Sequence, residues 1–255
     1  TLRRMKITIT GTNGQLGKIL LSQTKNHVIQ EIKRPEVDIR HAESVKRSLE
    51  SFRPEVIIHA AALTNVEYCE DHEEEADEVN IGGTENILRA SGDAHVVYLS
   101  TEYVFDGKKG PYSEEDKPNP QSVYAKTKYE GEQRVLNRKN SSVIRTTVVY
   151  TYKQGSKNFL MQLLSGKLNK FPSDQISNPT LTENLAEATL EIATRKLAGI
   201  YNIVGAGRID RYQFALSIAS KFNLDTSTWR PVSTAELGQK APRPLDCGLR
   251  IDKAQ

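Results

Sequence analysis

The chain has 255 residues, enough to bury a full core as one α/β domain or as a large and a small lobe. Its 35 Lys and Arg are interspersed with 32 Asp and Glu, for a formal net charge of +3, so no basic stripe marks it as a nucleic-acid binder. Cys69 and Cys247 are its two cysteines, without the spacing of a zinc site or the density of a disulfide framework. Thr1-Leu2-Arg3-Arg4 runs straight into a strand pattern with no apolar signal core, and no apolar run reaches the roughly 18 residues of a spanning helix. These features predict a soluble, cytoplasmic protein that engages neither membrane nor nucleic acid.

The β-rich run over 5–10 ends in glycine and reads as a first strand with a tight turn, followed by a helix over 16–21. Residues 27–32 read as a second strand and 44–52 as a helix stopped by Pro54. The apolar run 56–61 and the run 95–100 read as strands buried on both faces, and the acidic stretch up to Ala90 between them as mostly helical. A long polar segment with Pro111, Pro118 and Pro120 then leads to a helix at Tyr124. A further strand is expected over 142–150, helices over 158–168 and 183–194, and a strand over 199–205. Strands and helices in alternation imply a Rossmann-like, doubly wound parallel sheet, with a small C-terminal substrate lobe over the strand ends. The expected division is a dinucleotide-binding region over 1–150 and a mainly substrate-binding region over 151–255, with 176–204 returning to the first.

Gly11-Thr12-Asn13-Gly14-Gln15-Leu16-Gly17 follows a strand and opens a helix. Backbone amides there point at an anion, and the absent side chains let a pyrophosphate approach. Gly11, Asn13, Gly14, Gln15, Leu16 and Gly17 are therefore candidate cofactor residues. The second strand ends at Lys33-Arg34, where a cation suits the 2′-phosphate of NADPH; Glu31 points towards NADH, and two surface cations would look the same. Asp38 and Ile39 fit the adenine side or an ordinary solvated loop. Ala60, Ala61 and Ala62 are small enough for a flat cofactor to pass the backbone, though tight packing has the same signature. His59 reads as a satisfied strand-end histidine, and Asn80 as a brace beside the site that also touches the cofactor region.

Twenty-three residues after Thr101 comes Tyr124-Ala125-Lys126-Thr127-Lys128. On a helix, Lys128 falls one turn beyond Tyr124 on the same face, so an ammonium beside the phenol is expected to make it more acidic. Thr101 could then hold the oxygen that receives the proton. A Tyr-x-x-x-Lys arises by chance on the order of once in such a chain, and its weight comes from the glycine turn and Ser100-Thr101 upstream. The run of Glu67, Glu70, Asp71 and 73–75 reads as a solvated helical face rather than a metal site.

With these motifs in place the chain resembles the extended short-chain dehydrogenase/reductases and, among them, the dTDP-4-dehydrorhamnose reductase family. The resemblance rests on the glycine turn, Ser100-Thr101-Glu102-Tyr103-Val104-Phe105-Asp106-Gly107, Tyr124 to Lys128, Arg145-Thr146, Val149-Tyr150, Lys157-Asn158-Phe159, Asp174-Gln175, Pro179-Thr180 and Arg243-Pro244. It implies reduction of the 4-keto group of dTDP-6-deoxy-L-lyxo-4-hexulose by NADPH, with NADH as the alternative. Tyr124 would be the proton donor, Lys128 would lower its pKa and hold the nicotinamide ribose, and Thr101 would hydrogen-bond the sugar oxygen. Thr64, Thr101, Glu102, Asn158 and Arg243 would face the nucleotide sugar. Dehydratases of the superfamily carry Asp-Glu after the threonine; Glu102-Tyr103 lacks the second carboxylate, which favours reduction over water loss. Ile19 stands where bacterial reductases can carry a magnesium-binding acid, so no metal is expected, and a homodimer, if formed, is not metal-bridged. The NADP-binding regulatory β subunit of methionine adenosyltransferase shares the pattern and is the competing expectation, and a reductase of another 4-keto sugar nucleotide is the third.

Overall fold

The computed structural model describes residues 3–255. Strands β1 (Lys6–Thr10), β2 (Val28–Ile32), β3 (Val56–His59), β4 (His95–Thr101) and β5 (Ser141–Thr146) alternate with helices α1 (Gln15–Gln23), α2 (Ala42–Phe52), α3 (Val66–Asp71), α4 (Glu73–Asp77), α5 (Gly83–Ala90) and α6 (Val123–Leu136). The chain continues through β6 (Val149–Tyr150), α7 (Phe159–Leu164), β7 (Lys170–Pro172), β8 (Ile176–Ser177), β9 (Thr180–Leu181), α8 (Thr182–Arg195), β10 (Gly199–Asn202), β11 (Ile209–Asp210), α9 (Arg211–Phe222) and β12 (Arg230–Val232).

A six-stranded parallel sheet in the order β10-β5-β4-β3-β1-β2 forms the centre. Successive side chains of a strand go to opposite faces, which is why its strands read as continuous apolar runs. Ile7, Ile9, Val56, Ile58 and Val97 pack on one face with Ile19 and Leu20 of α1 and Leu185, Ala186 and Ile192 of α8. Ile57 and Val96 pack on the other with Val45 and Leu49 of α2 and Ile87 of α5. The order of connection reverses between β1 and β3, so their carboxyl ends border the crevice where such sheets bind ligands.

Two expectations are corrected, and the reading of the acidic stretch as mostly helical gains detail. The run over 142–150 is two strands, because Val148 adopts a left-handed φ of 43° and swings the chain out of the sheet, so that β6 pairs with β9. The acidic helical stretch is interrupted at His72 and carries a π-helical turn at Glu78–Gly82. The helix expected over 158–168 ends at Leu164, with Gly166 beyond it at a φ of 69°. A separate apolar cluster of Leu160, Leu163, Phe171, Phe214 and Ile218 holds α7, β7 and α9 together as the C-terminal lobe.

Candidate active site

The turn after β1 is built for close backbone approach. A Cβ on Gly11 would lie 2.8 Å from the Ala61 backbone, and one on Gly17 would lie 2.4 Å from the Gly11 carbonyl oxygen. Gly11 also has a φ of 74°, open to glycine at no steric cost. Gly14 stands at the N-cap of α1, so the first amides of that helix face the crevice, where its dipole favours an anion. The crevice opens into a cleft of about 590 Å³. The fit to a dinucleotide comes from this cradle of backbone with no room for side chains.

Both halves of the chemistry share that cleft. Gly11, Asn13, Gly14, Gln15, Leu16, Gly17, Arg34, Asp38, Ile39, Ala60, Ala61, Ala62 and Thr64 line it together with Thr101, Tyr124 and Lys128. Thr101 ends β4, and its hydroxyl accepts from Tyr103 N at 3.2 Å. Ser122 caps α6, its side chain accepting from Ala125 N, which fixes the start of the helix that presents Tyr124 and Lys128 one turn apart. Behind them Arg145 of β5 holds Glu132 of α6 through Nε and Nη2 at 3.1 and 2.8 Å. This ion pair is fully buried, which ties the helix to the sheet.

The electrostatics overturn one expectation. Burial pushes the Tyr124 phenol above its ordinary pKa, while hydrogen bonding with Thr101 pulls the other way. Burial depresses Lys128 to about 7, opposed by the charge of Glu132. Burial therefore leaves the phenol less acidic than a free tyrosine, and Lys128 is not among the groups that set its pKa here. The ammonium lies 4.0 Å from the centroid of the Tyr98 ring, a contact that favours the charged form. His59 is, as expected, a satisfied core residue, bonded to Thr10 and Thr84 hydroxyls at 2.8 and 3.0 Å. Burial holds its pKa down to about 3.

Four expected site residues stand outside the cleft wall. Asn80 lies behind it, bonding Leu63 N, Leu63 O and Thr127 Oγ1 at 2.8, 3.1 and 2.9 Å, so it positions Leu63, which does line the cleft. Glu102 is turned inward by the 3₁₀ turn Glu102–Val104 and accepts a hydrogen bond from Thr147. Burial raises its pKa to about 8. Asn158 caps α7 and donates to Gln15 Oε1 and Thr151 O at 2.8 and 2.9 Å, so its amide is committed to the scaffold. Arg243 is held by Glu67 at 2.7 Å.

In their place come Arg40, Tyr103, Arg211 and the segment 146–149. Arg40 pairs with Asp38 at 2.6 Å and brings that carboxyl down to about 2. Arg40 and Tyr103 had a sequence signal, one as a third cation after β2 and the other as the neighbour of Thr101 and Glu102. Thr146 and Val149 had a signal through the family resemblance, whereas Thr147 and Val148 read only as part of a strand.

Comparison with known proteins agrees with this architecture. Residues 5–255 match the family described as RmlD substrate binding domain. The chain is 32% identical over 271 residues to a dTDP-4-dehydrorhamnose reductase of Sinorhizobium fredii, covering 98% of this chain and 90% of that protein. It is also 32% identical over 274 residues to the methionine adenosyltransferase 2 subunit beta of Xenopus tropicalis, covering 97% and 82%. Among solved structures, dTDP-4-dehydrorhamnose reductase from Bacillus anthracis in complex with NADP superposes with a TM-score of 0.92 at 30% identity, covering 98% of this chain and 92% of that one. With the glycine cradle, the parallel sheet and a match that runs from the first strand to the last residue, the chain belongs to the RmlD substrate binding domain family, the group that includes the dTDP-4-dehydrorhamnose reductases.

Proposed function

We propose that the protein is an NADPH-dependent reductase of a 4-keto sugar nucleotide, converting dTDP-6-deoxy-L-lyxo-4-hexulose into dTDP-L-rhamnose, with NADH as a second possible reductant. One observation carries the proposal: Thr101, Tyr124 and Lys128 line the same cleft as the glycine turn. When bound, the reduced nicotinamide cofactor supplies the hydride that the sugar carbon accepts. The amides at the start of α1 hold the pyrophosphate, and Arg34, Lys33 and Arg40 surround the end of β2 where a 2′-phosphate would lie. The Thr101 hydroxyl positions the keto oxygen, and the Tyr124 phenol gives it a proton as it becomes a hydroxyl. Lys128, protonated, offsets the negative charge left on the phenol. The charge of Lys128 favours the phenolate once the proton has moved to the sugar oxygen.

Water elimination is disfavoured on the same geometry. Asp38 and Glu75 are the carboxylates on the cleft wall among the described residues, and Glu102 is not one of them. Incubation with NADPH and the 4-keto sugar nucleotide should give dTDP-L-rhamnose, identified by chromatography and proton NMR. Incubation with dTDP-glucose should leave it intact. A 4-keto-6-deoxy product from dTDP-glucose would overturn the reductase assignment. The second reading is a cofactor-binding regulatory subunit, supported by the methionine adenosyltransferase relative. It predicts cofactor binding without turnover, and a stable complex with a synthetase.

A further inference from the structure

Arg211 opens α9 and stands on the C-terminal side of the cleft, which Thr101, Tyr103 and Tyr124 also line. Its main chain is fixed: the N–H donates to Gln175 O at 3.1 Å, and Asp210 caps the helix through Gln213 N. The guanidinium lies 4.8 Å from the centroid of the Phe159 ring. It has no hydrogen-bond or ion-pair partner among the described residues, only the more distant influence of Tyr103, Glu102 and Arg243.

Its basic neighbours differ. Arg243 is neutralised by Glu67 at 2.7 Å, Arg145 by Glu132 at 2.8 Å, and Arg208 by Asp246. The nearest buried acid, Glu102, is kept largely protonated at neutral pH by burial, and Asp38 belongs to the β2 end of the cleft, paired with Arg40. Arg211 is half-buried on the cleft wall with no carboxylate paired to it, so an anion entering the cleft can take that place, and its planar fork matches two phosphate oxygens.

We propose that Arg211 holds the diphosphate of the nucleotide-sugar substrate, with Phe159 fixing the plane of its guanidinium, and so selects substrates that carry that group. The inference rests on the nucleotide-sugar reading above. It moves the anion anchor from Arg243, whose charge is already taken by Glu67, to a residue on α9.

The test is calorimetric titration of dTDP and, separately, NADPH into the native protein and into R211Q, R211K and R243Q. Loss of a charge-assisted hydrogen-bonded anchor should weaken dTDP binding about 10- to 100-fold in R211Q. R211K, which keeps the charge but not the fork, should fall between, and R243Q should lose less than R211Q. NADPH affinity should stay within about twofold, which also reports an intact fold. Unchanged dTDP binding in R211Q overturns the inference, as does a larger loss in R243Q. An equal loss of NADPH and dTDP in a folded R211Q would assign Arg211 to the cofactor's own phosphates and overturn it too. Should R211Q fail to fold, R211K decides: a several-fold loss of dTDP supports the anchor and no loss overturns it. Absence of dTDP binding by the native protein would instead sink the nucleotide-sugar reading, a different outcome from equal binding by native and variant.

Discussion

Lys128 stands near its midpoint at neutral pH, because burial brings it down to about 7 against the pull of Glu132. In the proposed mechanism it must be charged to offset the phenolate of Tyr124, and its charged fraction falls as pH rises past that value. The kcat/KM of the native enzyme should therefore fall as pH rises through about 7. In K128M the rate should drop by roughly 10²- to 10⁴-fold and the residual activity should lose that limb. A limb that persists in K128M would assign it to another group. Glu102 makes an opposite case. Its carboxyl titrates near 8 in the fold because burial disfavours the charge, against an ordinary value near ~4.3 when unfolded. Between those values the folded state keeps a proton that the unfolded state has released, so stability declines as pH rises through the window. E102Q should remove this decline, with a gain over the native protein that reaches at most about 5 kcal/mol at pH 9 and falls to about 1 at pH 5, read from urea unfolding. Equal pH profiles would show that Glu102 is ionised in the fold. Sequence reading placed Glu102 in the site because it follows Thr101. A single 3₁₀ turn separates neighbours, sending Tyr103 to the cleft and Glu102 to Thr147.

At the scale of elements, α6 matters more than its length suggests, since it carries Tyr124, the proposed proton donor, and Lys128. It is anchored from behind by Arg145 and Glu132, both fully buried. Removing one partner leaves an uncompensated charge, so E132Q should cost about 3–5 kcal/mol of stability. It should also lower the Lys128 pKa further and move the alkaline limb of kcat/KM to lower pH. An E132L/R145M double variant should be less destabilised than the sum of its single variants, by the logic of a double-mutant cycle. Additive losses would mean that the pair does not act as a unit. The helices and strands up to α6 were legible in sequence because each is a run of one period, buried on a known face. The break at 147–148 was not, since Val148 is a β-branched residue in a left-handed conformation that no local pattern announces. That break is functional in its consequence: it places 146–149 against the cleft, and Val149 O accepts from Gln15 Nε2 at 3.2 Å.

For the whole molecule, the two lobes are interleaved. Helix α8 packs in the same apolar cluster as β1 and α1, and β10 extends the central sheet beside β5, while α7 and α9 pack in a separate apolar cluster and Arg211 of α9 reaches the cleft wall. The cofactor cradle was readable because glycine spacing and strand context sit within one short segment. Arg211 was not, because it reaches the cleft only through the packing of a distant helix, and the amide of Asn158, read as substrate-facing, caps α7 and bonds Gln15 and Thr151. The central claim is that this interleaved fold presents a working reductase site in which Tyr124 is the acid. The most direct test follows NADPH absorbance at 340 nm with dTDP-6-deoxy-L-lyxo-4-hexulose, comparing the native protein with Y124F. Substrate-dependent oxidation by the native protein, reduced at least 100-fold in Y124F with NADPH still bound, is the expected result. Cofactor binding without oxidation in the native protein, or oxidation undiminished in Y124F, would contradict it.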